Sequence, residues 1–262
     1  MPLQANQIAE LAELYLRAEQ SATPAEPIRD RFPDLGEEDA YAVQAELVRR
    51  KEAAGARLVG RKGGATNPAA QANFGLSQAV YGALFDRGAL VSGSAVEASA
   101  LIHPRLECEV AFRMARDLAG PGVTPETALA AVAGAMAAFE VVDARTAGWA
   151  AKMPEMLCDN VFQARYAVSE TLVPVGGLDL AAISVVLHKN GAEAARATGA
   201  NVLGSPANAL AWLANRLAEH GQSLRAGDLV LAGSLTPLVP VAAGDVVEAT
   251  FDHLGSVRLS FV

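Results

Sequence analysis

The chain has 262 residues, 52% of them hydrophobic, and 29 acidic against 21 Lys and Arg side chains give it a net charge of −8. That length can bury a substantial core, as one large domain or as a core with a small appendage, and acidity without a basic run argues against a nucleic-acid partner. No apolar run approaches the roughly 20 residues that span a bilayer, which argues against a membrane protein, and two cysteines, Cys108 and Cys158, make neither a disulfide framework nor a thiolate zinc site.

The opening stretch, "MPLQANQIAELAELYLRAEQ", has glutamates throughout and lacks the basic flank and apolar centre of a signal peptide, which predicts a cytoplasmic protein. Ile8, Leu11, Leu14 and Tyr15 recur at helical spacing, and "EEDAYAVQAELVRRKEAAG" repeats the pattern with Val43, Leu47 and Val48 before Gly55 stops it. A Pro-punctuated connection separates the two helices. From Leu58 onward the chain changes to short strands and glycine-rich turns, so it divides into a helical segment, 1–57, and a core, 58–262. Early in that core, "VGRKGGATNPAAQANFG" carries Lys62 ahead of glycines small enough to let backbone approach a ligand while the ammonium reaches in. A solvated surface lysine is the plain alternative, and the residue order of a phosphate loop is missing.

"HPRLECEVAF" reads as a strand. Alternation puts Glu107 and Glu109 on one face and Leu106, Cys108, Val110 and Phe112 on the other. Like charges side by side require water or a counter-charge, so this face is either wet or holds a cation. His103, four residues before Glu107, reads as a surface or satisfied core histidine. Next, Thr124 and Pro125 look like the cap and first residue of a helix running through "TPETALAAVAGAMAAF". Glu140 follows at once, inside one of the most apolar stretches of the chain, where an unpartnered carboxylate would be costly. Three readings stand: pairing with an Arg or Lys, a metal site shared with Glu107 and Glu109, or an edge position that reaches water. A metal held by carboxylates with no Cys–His constellation nearby would be Mg²⁺ or Mn²⁺. Asp143, Arg145, Asp159 and Asn160 lie close in sequence to this region, and mutual hydrogen bonding that braces a loop would account for them.

Asn190-Gly191 marks a tight hairpin, Ser205-Pro206 opens a helix that closes at Gly221, and a last hairpin turns near Gly255. The class is α+β, with a mostly antiparallel core. No G-x-S-x-G elbow, H-E-x-x-H helix or C-x-x-C pair is present, which leaves hydrolytic triads unsupported.

The ordered motifs "GRKGGATN", "YGALFD", "HPRLECEVAF", "FEVVDAR", "DN", "TGANVLGSPANALAWLAN" and "LRAGDLVLAGSLTPLVPVAAGDVVEATFDHLGSV" carry a further message. From about Leu58 to the C-terminus the chain resembles the 2-oxopent-4-enoate hydratase and 4-oxalocrotonate decarboxylase family of the fumarylacetoacetase-like superfamily. The resemblance implies a fumarylacetoacetase-like mixed β-roll core with a helical N-terminal segment. It implies Mg²⁺ or Mn²⁺ held by Glu107, Glu109 and Glu140, with Lys62 as the catalytic lysine. It also places Asp143, Arg145, Asp159, Asn160 and Ser234 against or behind the substrate. The implied substrate is a short 2-hydroxydienoic or 2-oxo acid from aromatic meta-cleavage, and the implied assembly is a homo-oligomer that can associate with a pathway-partner enzyme. Hydratase activity is the first expectation, decarboxylase activity the second, and a non-catalytic partner subunit of the same fold the third.

This sequence departs from the family pattern in two places and leans toward one branch in a third. Val80 in "AVYG" stands where hydratases often carry an acid, which suits a decarboxylase. "GSLTPLVPV" around Ser234 is closer to hydratases. "CDNVFQ" puts Val161, Phe162 and Gln163 where small hydroxyl-bearing residues are expected, which reshapes the pocket. The Glu–His pair that carbon–carbon bond hydrolysis would need is not evident.

Overall fold

The structure, a computed structural model, describes residues 2–149 and 152–262. Helix α1 (Ala5–Ser21) buries Leu11, Ala12, Tyr15 and Ala18, and α2 (Glu37–Ala53) buries Ala40, Tyr41, Val43, Gln44 and Leu47, each the single stripe expected of an amphipathic helix. Gly55 follows α2 in the left-handed region, at φ 85°. The stripes do not close on each other alone. Tyr41 stacks on Tyr81 at 4.7 Å, and the Gln44 amide donates to the carbonyls of Tyr81 and Leu157, both at 3.1 Å. Helices and strands therefore share one apolar core.

The strands form two sheets. The larger contains β1 (Leu58–Gly64), β2 (Val80–Phe85), β3 (Ala89–Val91), β5 (Arg105–Met114), β6 (Val132–Val142), β7 (Gln163–Val168) and β10 (Leu229–Ser234), in the order β2-β1-β10-β5-β6-β7-β3, with β11 (Val239–Pro240) joining β5. The smaller runs β4 (Ala95–Val96), β13 (Gly255–Phe261), β12 (Val246–Phe251), β8 (Ser184–Lys189) and β9 (Ala192–Thr198). Most pairs are antiparallel, but β1 with β10, β3 with β7 and β4 with β13 are parallel, so the core is mixed. Both expected hairpins form: Asn190 and Gly191 take φ 53° and 81° between β8 and β9, and His253 and Gly255 take φ 63° and 81° between β12 and β13. Helix α6 (Pro206–Glu219) starts at the Ser205 cap, whose Oγ accepts from the Ala207 amide. No helix among the described residues is long and apolar enough to cross a membrane.

One expectation is overturned. The helix predicted from Thr124 through Phe139 stops after a single turn, α4 (Pro125–Leu129), and the rest of that stretch is β6. The cap is real, since Thr124 Oγ1 accepts from the Thr127 amide, but propensity gives way to pairing. β6 lies between β5 and β7 with both faces buried from Gly134 onward, so its side chains show none of the polar alternation that marks a half-exposed strand. Small residues suit that position: a Cβ on Gly134 would lie 2.6 Å from the Val173 carbonyl oxygen. The short helices α3 (Pro68–Phe74) and α5 (Met153–Cys158) were not anticipated.

Candidate metal centre and active-site cavity

The register of the large sheet assembles the charged groups. Glu107 stands opposite Glu140, Glu109 opposite Ala138 on one side and Ser234 on the other, and Lys62 opposite Leu231 in the parallel β1–β10 pair. Leu106, Cys108, Val110 and Phe112 point into the main core, as alternation requires. Glu109 and Glu140 are fully buried, Glu107 is partly exposed, and one carboxylate oxygen from each lies within 4.8 Å of the others. Lys62, 2% exposed, places Nζ 3.0 Å from Glu140 Oε2 and donates to the Val161 carbonyl at 3.0 Å. Two of the readings left open for Glu140 thus coexist: it pairs with a lysine and also belongs to the carboxylate cluster.

Burial and mutual repulsion govern the electrostatics of this cluster. Burial, then the nearby Glu140 and Glu107 charges, push Glu109 well above the ordinary carboxylate range. Burial raises Glu140 to about 7 against the opposing pull of Lys62, and Glu107 is raised by burial too. For Lys62, burial disfavours the ammonium, but Glu140, Glu107 and Glu109 outweigh it and hold its pKa above the usual value. With all three ionised, as metal ligation would require, the carboxylates exceed the one ammonium by two negative charges, the number a divalent cation would neutralise. The oxygens are available: Glu109 Oε2 accepts from the Gly233 amide at 2.7 Å, whereas Glu109 Oε1 and Glu140 Oε1 are buried with no hydrogen-bond partner. An all-oxygen donor set of this charge fits Mg²⁺ or Mn²⁺.

The cluster opens into a cavity of about 610 Å³ that Lys62, Glu107 and Ser234 line at one end. Ser234 Oγ donates to the Thr236 carbonyl at 2.8 Å. Phe74, Phe162 and Trp149 form an aromatic wall, with ring centroids 6.0 Å apart for Phe74 and Phe162 and 5.3 Å for Trp149 and Phe162. Of the three departures at 161–163, Val161 and Phe162 face this cavity, while Gln163 lines a separate cleft beside α1 and α2. Asn160, Val161 and Phe162 take φ 50°, 53° and 61° in succession, a left-handed run that is unfavourable for a β-branched valine. That run aims the Val161 carbonyl at Lys62. Val161 also explains Gly64, where a Cβ would lie 2.5 Å from Val161 Cγ1 and 3.3 Å from Val80 Cγ2. Val80 itself is buried packing behind the cavity wall.

Four residues expected against or behind the substrate do not line the cavity; they hold its frame together. Asp143 accepts from the amides of Ile102 and His103 at 2.9 and 2.6 Å, while His103 is exposed. Asp159 Oδ2 accepts from the Arg145 amide at 2.8 Å, and the buried Arg145 guanidinium reaches Asp159, Glu19 and the Asp143 and Gln163 carbonyls. Asn160 bonds both backbone groups of Ala83, at 2.7 and 2.9 Å. This is the loop-bracing alternative. Sequence reasoning missed Thr66, Met156, Asn201 and Leu238 on the wall, along with Phe74 and Trp149. Periodicity carries no signal for them, because they come from separate loops and short helices.

The chain is similar to known proteins over nearly its whole length. Residues 78–262 match the family model for the fumarylacetoacetate (FAA) hydrolase C-terminal region. A 2-keto-4-pentenoate hydratase of Paraburkholderia xenovorans is 37% identical over 252 residues, 96% of this chain and 94% of that protein. A 4-oxalocrotonate decarboxylase of Pseudomonas sp. is also 37% identical, over 257 residues, 98% of this chain and 97% of the other. The solved 4-oxalocrotonate decarboxylase from Pseudomonas putida G7, complexed with magnesium and adipate, superposes with a TM-score of 0.96 at 35% identity, covering 99% of both chains.

Proposed function

The chain belongs to the fumarylacetoacetate hydrolase family, as a lyase of its hydratase and decarboxylase branch, and from that premise we propose that it is the hydratase: it adds water to a short 2-hydroxydienoate to give a 4-hydroxy-2-oxo acid in aromatic meta-cleavage catabolism. The observation that carries this reading is the buried Lys62 beside three clustered carboxylates on the wall of the cavity. Glu107, Glu109 and Glu140 would hold Mg²⁺ or Mn²⁺. When bound, such an ion supplies the positive charge that favours an enolate over its ketone.

The protein's own groups do the rest. Lys62 has three N–H donors, two of them directed at Glu140 and the Val161 carbonyl, so one remains for a substrate oxygen on the cavity side. As an ammonium, the form the three carboxylates favour, it would stabilise negative charge on that oxygen or deliver a proton to it. The aromatic wall confines the conjugated carbons and limits bulk water to what the cavity admits. The active form is a homo-oligomer, as the family resemblance implies.

Decarboxylation of a vinylogous 2-oxo diacid is the second reading. Val80, apolar where hydratases often carry an acid, favours it. Assays with 2-hydroxypenta-2,4-dienoate and 4-oxalocrotonate, each with and without Mg²⁺, separate the two. The dienoate is expected to be consumed only with metal; consumption of neither compound at micromolar enzyme would remove both readings.

A further inference from the structure

A second cleft, of about 210 Å³, lies between the helical segment and the large sheet and shares no lining residue with the cavity beside the carboxylate cluster. Helix α1 contributes Glu19 to it, α2 contributes Arg50 and Lys51, the turn between β2 and β3 contributes Arg87 and Gly88, and β7 contributes Gln163 and Arg165. Its charges do not balance. Arg50 reaches Glu13 and Glu46, both at 2.7 Å, and Lys51 holds Glu19 at 2.6 Å. Glu19, the one carboxylate among the described lining residues, also accepts from Arg145, which is itself paired with Asp159. Arg87 and Arg165 are left over. Their guanidiniums donate to the Ala54 and Ala164 carbonyls, at 2.7 and 3.0 Å, and neither forms an ion pair with a carboxylate among the described residues. The excess of positive charge acts within the cleft: burial lowers the Lys51 pKa although Glu19 is in contact, and Arg145 adds to the lowering.

A separate observation points to a ligand. Gln163, 2% exposed, lines the cleft beside Gly88, where a Cβ would lie 3.0 Å from Gln163 Nε2, and that Nε2 has no hydrogen-bond partner. An amide nitrogen only donates, and an unpaired buried donor is costly, so the partner it calls for is an acceptor. Lys51 spends two of its three N–H donors on Glu19, which leaves one more. The occupant that fits is therefore rich in acceptor oxygens and carries two negative charges to meet the two unpaired guanidiniums. It is also small, since the cleft falls below the roughly 300–1,000 Å³ of pockets for drug-sized ligands.

We propose that this cleft binds a small dianion, of the phosphate or short dicarboxylate class, held by Arg87, Arg165 and Lys51 with Gln163 donating from β7. The bound anion ties the end of α2 to the large sheet.

Calorimetric titration of the intact protein, in a slightly alkaline buffer free of polyvalent anions, tests this with inorganic phosphate, sulfate and succinate, and with acetate as the monoanion. At least one dianion is expected to saturate at millimolar concentration or below and to bind about tenfold or more tightly than acetate. Preference for phosphate and sulfate, or for succinate, assigns the occupant within the class. Arg87→Gln and Arg165→Gln should each weaken that binding about tenfold, and Gln163→Leu about threefold or more, whereas Glu109→Gln, in the carboxylate cluster, should leave it within about twofold. Arg87 is exposed, so its variant reports even if Arg165→Gln or Gln163→Leu fails to fold. Absence of saturable binding, unchanged affinity in Arg87→Gln, or loss of binding in Glu109→Gln overturns the proposal. A parent protein that takes up no anion, but whose Arg87→Gln variant forms a smaller oligomer, would put an acidic segment of a second copy in the cleft, and that result overturns it too.

Discussion

Among individual residues, Lys62 and Glu109 make opposite contributions to the same cluster, and exchanging each for a neutral isostere separates them. Glu109→Gln removes a proposed ligand oxygen and a carboxyl whose ionised form burial and its two acidic neighbours disfavour. Mg²⁺ is expected to raise the melting temperature of the parent protein, by the equivalent of about 2.7 kcal/mol at a hundred times Kd, and that rise should vanish in the variant while the metal-free melting temperature stays level or rises. A variant that still binds Mg²⁺ normally would remove Glu109 from the ligand set. Lys62→Met deletes the competing cation, so Mg²⁺ should bind more tightly even as kcat falls by about 10²–10⁴-fold, checked by titration and assay on the same preparation. Weaker Mg²⁺ binding would mean that the lysine organises the carboxylates instead of opposing the metal. These two residues differ in how visible they were beforehand. The "ECE" pattern declares a shared face by alternation alone, whereas for Lys62 in its glycine setting a solvated surface lysine was the favoured account. What buries it is the pairing of β1 with β10, strands far apart in the chain, and no local pattern encodes that.

At the level of secondary elements, the ionic network around Arg145 ties the end of β6 to α1 and to the turn after α5. Its members were legible as polar groups near Glu140, but their role was not, because a bracing pair and a substrate-binding pair look alike until burial and partners are known. Removing the cation strands Asp159 and weakens the hold on Glu19. Arg145→Met should therefore cost roughly 3–5 kcal/mol in urea-monitored unfolding, and adding Asp159→Asn should recover part of that loss. A cost below about 1 kcal/mol for Arg145→Met would mean that water reaches the network. The misjudged helix after Thr124 has a related origin. Alanine-rich stretches with a good cap favour a helix when read alone, and only two flanking strands make the same stretch a buried central strand. Where pairing lies within one hairpin, as at Asn190-Gly191, reading ahead of the structure succeeded; where it joins distant segments, it did not.

For the molecule as a whole, the two thiols provide an internal report on cooperativity. Cys108 sits in the main core on β5, with burial pushing its pKa up to about 12, and burial holds Cys158, at the end of α5, well above the ordinary thiol range. Neither should react with a thiol reagent at pH 8 in the native protein, and both should appear together in guanidinium, with labelling that follows the global unfolding curve. Earlier reaction at Cys158 alone would reveal an independent opening of α5 and its neighbours. The pairing of Glu107 with Glu140 also bears on the order in which the molecule assembles. β5 and β6 are successive strands and can meet by closing a modest loop, but Lys62 reaches them only through β10, which is synthesised near the end of the chain. Loop-closure entropy thus favours bringing the acids together before their counter-charge. A growing sheet in that state carries its own electrostatic brake, which divalent ions in the surrounding solution would release.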